Sequence, residues 1–168
     1  MSEISDAIQT KCLAFGDRII KLNDYLLSQA AVEHEKYKKE QKQRKFGQKT
    51  SSIIHQPSSI PVHLQSVAAL CNQLLRSGTS IGANNAEACN AISKADFKSK
   101  SFIALKEARE SLYWLELLHR NEYLTDAQYQ SIYNDCEELV KILVARCKKL
   151  NQEADGKDDV KNKEMETW

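Results

Sequence analysis

Residues 76–88 read Arg-Ser-Gly-Thr-Ser-Ile-Gly-Ala-Asn-Asn-Ala-Glu-Ala, and the fold turns on whether this stretch is a loop or a helix. Each glycine in a helix interior costs about 1 kcal/mol relative to alanine. Gly78 and Gly82 lie four apart, however, and Ile81 and Ala88 keep the helical phase that Val67, Leu70, Cys71 and Leu74 set upstream. A continuous helix from Pro61 to about Ala91 is the simpler reading, with Pro61 in its first turn. The two glycines then let another backbone approach closely.

The same periodicity extends in both directions. Toward the N-terminus, Ile4, Ile8, Cys12, Phe15, Ile19, Leu22 and Leu26 alternate spacings of three and four, which predicts a first helix from about Ile4 to Val32. Toward the C-terminus, Ser93-Lys-Ala-Asp96 resembles a capping box and opens a third helix to His119, with Phe97, Ala104, Ala108, Leu112, Leu115 and Leu118 inside. Thr125-Asp-Ala-Gln128 is a second capping box. It opens a fourth helix lined by Tyr129, Ile132, Cys136, Leu139, Leu143, Cys147 and Leu150.

Four long amphipathic helices with short 2–3 and 3–4 connections predict an all-α, up-down-up-down four-helix bundle. The domain plan is helix 1 over 1–32, a connection over 33–60, helices 2–4 over 61–150, and a tail over 151–168. The connection begins EHEKYKKEQKQRKFGQK and continues into a Ser-rich stretch that leads to both prolines. It reads as a solvated extension of helix 1 followed by a loop. After Leu150 the apolar period is lost and the chain becomes acidic, which predicts a frayed tail.

Composition agrees and excludes alternatives. Only 5 Gly and 2 Pro in 168 residues are too few turn formers for a many-stranded sandwich or barrel. Lys and Arg number 24 against 23 Asp and Glu, so any nucleic-acid affinity must be local. The N-terminus lacks a signal-peptide pattern, and no stretch is long and apolar enough to span a membrane. The five cysteines, Cys12, Cys71, Cys89, Cys136 and Cys147, are scattered and form no CxxC pair. The expectation is a cytoplasmic protein with reduced, mostly buried thiols.

Surplus apolar residues point to self-association. Leu13, Ile20 and Leu27 form a second stripe on helix 1 at heptad spacing. Phe102, Ile103, Tyr113, Trp114 and Leu117 face away from the expected core side of helix 3, and the outer face of helix 2 carries small residues, Thr79 and Ala83 among them. An oligomer interface through Leu13, Ile20, Leu27, Thr79, Ala83, Phe102, Tyr113, Trp114 and Leu117 is the expectation.

Catalytic patterns are sparse. Glu116-Leu-Leu-His119 is the single Glu-x-x-His, where a di-metal bundle site needs two together with further glutamates. Ser77-Gly78-Thr79-Ser80 lacks the spacing of a phosphate-binding loop. No enzyme activity, cofactor or metal is expected. The best lead to a ligand is the basic run Lys36, Lys38, Lys39, Lys42, Arg44, Lys45 and Lys49, interleaved with Tyr37 and Phe46. Cations release counterions from phosphates and aromatic rings stack on unpaired bases, so this run is a candidate nucleic-acid site. Lys94 and Lys98, at the start of helix 3, form a second patch with Lys100 and Lys106.

RSGTSIGANNAEA at 76–88, SKADFKSKSFIALKEARESLYWLELL at 93–118 and DCEELVKILV at 135–144 together resemble the four-helix-bundle proteins of the 23S rRNA intervening-sequence type. That group is similar to the accessory variability protein of diversity-generating retroelements. The resemblance implies a homopentamer of bundles that binds RNA or DNA and contacts a reverse transcriptase, without enzymatic activity. The long basic connection and the acidic tail are additions to the family pattern. An oligomeric protein–protein adaptor with no nucleic-acid role is the alternative.

Overall fold

The computed structural model describes residues 3–47 and 62–165. They form four helices: α1 (Glu3–Gly47), α2 (Val62–Cys89), α3 (Lys94–Arg120) and α4 (Asp126–Met165). Among the described residues there is no strand. Each helix packs on its sequence neighbours, α1 also meets α4, and the backbones of the diagonal pairs stay apart. The result is a closed up-down ring of four helices, with the α1–α4 seam the sparsest.

The stretch at 76–88 is helical throughout. Its glycines work as expected at the α1–α2 contact. A Cβ on Gly78 would sit 2.9 Å from Ile19 Cγ1, and one on Gly82 would sit 3.4 Å from Cys12 Cβ. The core is the expected set of inward positions: Ile8, Cys12, Phe15, Ile19 and Leu26 on α1, then Val67, Cys71, Leu74 and Ile81 on α2. Ala104, Ala108, Leu115 and Leu118 of α3 meet Ile132, Cys136, Leu139, Leu143 and Cys147 of α4. Leu105, Ser101 and Ser111 are also buried, whereas Phe97 and Leu112 sit at the core margin.

Both predicted caps form. The Ser93 hydroxyl accepts the Asp96 amide at 3.1 Å, and the Asp96 carboxylate accepts the Ile92 amide at 3.2 Å. Thr125 and Gln128 bond reciprocally, Gln128 N–H to Thr125 Oγ1 at 3.3 Å and Thr125 N–H to Gln128 Oε1 at 3.0 Å. Before that box, α3 ends with Glu122 at φ 61. Tyr123 N–H reaches Leu118 O and Glu122 N–H reaches His119 O, both at 2.9 Å, closing the left-handed terminus usually given to glycine.

Two helices outrun the bundle. The connection is helical from Glu33 to Gly47, so its first half is the solvated extension expected. The tail departs from expectation, because α4 continues without a break to Met165. Losing the apolar stripe removes packing, but Glu, Gln, Ala and Lys keep their helix propensity. No helix among the described residues is long and apolar enough to cross a membrane.

Candidate nucleic-acid interface

Antiparallel packing fixes which groups share an end of the bundle. At one end, Gln9 of α1, Asn85 of α2, Phe97 of α3 and Arg146 of α4 converge. Asn85, 0% exposed, donates to Gln9 Oε1 at 2.6 Å and accepts from Arg146 at 2.7 Å. The Arg146 guanidinium also lies 5.6 Å from the Phe97 ring centre. At the other end, Leu26, Ala30 and Glu33 of α1, Val67 of α2 and the 122–125 corner line a shallow groove.

The basic run leaves from this second end. Lys36, Lys38, Lys39 and Lys42 are all exposed on α1 beyond Glu33, and Tyr37 is 49% exposed among them. One of these charges is locally compensated, since Lys38 pairs with Glu35 at 3.2 Å. Arg44 and Lys45 lie on the helical backbone of the same arm, and Lys49 lies outside the described residues. The arm presents cations around an exposed ring, which suits a phosphate backbone with unstacked bases.

The second patch is elsewhere. Lys94 and Lys98 begin α3 at the Asn85 end, so the length of α3, about 40 Å, separates them from the arm. Lys100 is paired with Glu87, a contact that raises its pKa through the hydrogen bond first and the charge second. The two basic stretches are therefore separate surfaces.

The expected interface residues divide. Leu13, Ile20 and Leu27 are 61%, 45% and 39% exposed, and Tyr113 is 57% exposed. Thr79 and Ala83 are exposed as well. Phe102, Trp114 and Leu117 are half-buried, and the first two pack against the chain's own core. Trp114 additionally donates to Glu110 at 3.0 Å. A buried helical stripe is more than 100° wide, so residues flanking its centre find cover within the bundle.

The Glu-x-x-His residues do not act together. His119 Nε2 bonds Asp126 at 2.8 Å and its ring stacks on Tyr129, with centroids 4.1 Å apart. Glu116 accepts from Tyr129 at 2.7 Å and from Arg120 at 2.8 Å, and these bonds hold its carboxyl below the usual carboxylate range. Burial and the bond to Glu116 push the Tyr129 phenol up. The arrangement is a corner clamp between α3 and α4. Among the described residues no group of three or more His, Cys, Asp or Glu could hold a metal ion.

Comparison with known proteins gives one coherent result. The family model for 23S rRNA-intervening sequence protein matches residues 41–145. A crystal structure of a protein with unknown function from the S23 ribosomal protein family of Bacteroides thetaiotaomicron is 39% identical. That match covers 86% of this chain and 97% of the other, with a TM-score of 0.60. No curated protein matches.

Proposed function

The chain belongs to the 23S rRNA-intervening sequence protein family, and from that premise we propose a non-catalytic, oligomeric bundle that binds nucleic acid through the α1 arm. The observation that carries the reading is the arm itself: four exposed lysines and an exposed tyrosine on a helix that leaves the bundle. Local concentration of cation explains how a chain of net charge +1 would bind a polyanion. RNA is the favoured ligand, because its single-stranded loops offer bases to an exposed ring. A pentamer and a reverse-transcriptase partner rest on the family resemblance alone.

A mobility-shift series against structured RNA tests the reading. Replacing Lys36, Lys38, Lys39 and Lys42 together by alanine should abolish the shift and flatten its salt dependence, by about 0.7–0.9 in log–log slope per lost phosphate contact. Binding that is absent, or indifferent to salt, refutes it.

The exposed stripe Leu13, Ile20 and Leu27 favours a second reading, an oligomeric protein–protein adaptor. Light scattering on Ile20→Glu addresses self-association without touching the core, since Ile20 is exposed. Co-purification of a protein without nucleic acid favours the adaptor.

A further inference from the structure

The α1 arm leaves the bundle beside the groove at the 122–125 corner, and one wall of that groove runs on into the arm. The groove encloses about 230 Å³. That is less than the roughly 300–1,000 Å³ of pockets for drug-sized ligands, and it suits a single heterocycle. Its floor is apolar, with Leu26 4% and Val67 2% exposed. Tyr25 of α1 and Tyr123 of the corner bring rings to it from two elements. Its polar lining is rich in acceptors: the carboxylates of Glu33 and Glu122 stand beside the amides of Gln29 and Gln128. Gln128 Oε1 is committed to Thr125, so that amide offers its donor end. Lys36 follows Gln29 by seven residues, and Tyr37 follows Ala30 by seven. Each therefore stands within about 20° of a groove residue on the helix and about 10 Å further along it.

We infer that this groove takes one unpaired base of the strand bound by the arm, and that it prefers guanine. The inference rests on the arm being the nucleic-acid interface. A carboxylate only accepts hydrogen bonds. Guanine alone among the four bases of RNA sets two N–H donors side by side on its Watson–Crick edge, at N1 and N2, and Glu122 accepts both. The Gln128 amide nitrogen donates to the neighbouring O6. Adenine and cytosine place their amino donor next to an acceptor nitrogen, and uracil flanks its N–H with two carbonyls. Each of these sets an acceptor against the carboxylate. The tyrosine rings stack on any base, so they supply affinity rather than choice. The carboxylates repel phosphate, which keeps the backbone on Lys36 and the cations beyond it while the base turns inward.

Fluorescence anisotropy on the full chain tests this, with labelled oligouridylates of about ten residues that carry one central guanosine, inosine, adenosine or cytidine. Inosine lacks only the N2 amino group. The guanosine strand should bind about tenfold more tightly than the inosine strand. Glu122→Gln should level the two, and Tyr25→Ala should weaken the guanosine strand about fivefold to a hundredfold. Both side chains are exposed, so neither change disturbs the core. Equal binding of the guanosine and inosine strands by the unaltered chain overturns the inference, as does a guanosine preference that survives Glu122→Gln. Saturable binding of arginine amide that Glu122→Gln abolishes, with no base preference, makes a cationic side chain the occupant and overturns it too. In all three cases, loss of every strand on replacing Lys36, Lys38, Lys39 and Lys42 leaves the proposed function standing. If that four-lysine variant binds as the unaltered chain does, both readings fall.

Discussion

Gly78 and Ile19 meet so closely that a methyl group on Gly78 would lie 2.9 Å from Ile19 Cγ1 and 3.2 Å from Cγ2. Ile19 is fully buried and β-branched, so it has little freedom to move aside. Gly78→Ala gains about 1 kcal/mol of helix propensity but forces the α1–α2 contact apart, at about 1–3 kcal/mol. Gly82→Ala meets Cys12 at 3.4 Å, an ordinary contact, and should be neutral or stabilising. Urea denaturation should therefore rank Gly82→Ala above wild type or level with it, and Gly78→Ala below. Equal effects would mean that the helices do not approach as described.

Glu122 supplies a second local test. Its φ of 61 places a side-chain-bearing residue where glycine is favoured. Both capping bonds are made by backbone, so removing the side chain loses neither. Glu122→Gly should raise stability by about 0.5–1 kcal/mol, visible as a higher melting temperature. A loss of stability would show that the Glu122 side chain supports the corner.

Asn85 shows what periodicity could and could not deliver. Ile81, Asn85 and Ala88 share one helical phase, so the inward position of Asn85 was legible in the spacing. Its partners were not, because Gln9 and Arg146 lie 76 and 61 residues away and only the packed bundle joins them. The four helices were readable because apolar side chains repeat every three or four residues, and both caps because their residues are adjacent. The α4 overrun was misread because helix propensity persists where apolar periodicity stops. That Phe102 and Trp114 pack partly against the chain's own core was not legible, because phase alone does not give the width of the buried stripe.

The same network predicts a non-additive pair. Asn85→Ala strands the Arg146 guanidinium and the Gln9 amide in a part-buried site, at about 2–3 kcal/mol. Asn85→Leu with Arg146→Met removes the unmet charge along with its partner and should cost clearly less than the sum of the single changes. Additive free energies in chemical denaturation would show that the two residues do not interact.

Glu116 should govern part of the acid limb of stability. Its carboxyl is held low by bonds from Tyr129 and Arg120, so its folded pKa lies below its unfolded value. Such a group stabilises fully above the unfolded carboxylate pKa, and the contribution disappears as pH falls through the folded one. Glu116→Gln should make stability less dependent on pH over about pH 3 to 5, with little change in that slope near neutrality. An unchanged acid slope would place the corner's stability elsewhere.

The five thiols should separate by burial. Cys12, Cys71, Cys136 and Cys147 are buried, whereas Cys89 is partly exposed at the end of α2. Burial pushes the Cys12 and Cys71 thiols up to about 11 and that of Cys136 up to about 12. The thiolate is the nucleophile, so these groups are both shielded and protonated near neutral pH. A disulfide reagent at pH 8 should modify Cys89 rapidly and the others only at the rate of unfolding. Because the raised folded values favour the neutral thiol, their stabilisation is present below the unfolded pKa near 9.0 and is lost as pH climbs toward 11 to 12. Cys136→Ala should therefore be less stable at pH 7 yet lose less further stability between pH 9 and 11. Rapid modification of a second thiol in the native protein would contradict the packing of the α1–α2 or α3–α4 contact in which that cysteine sits.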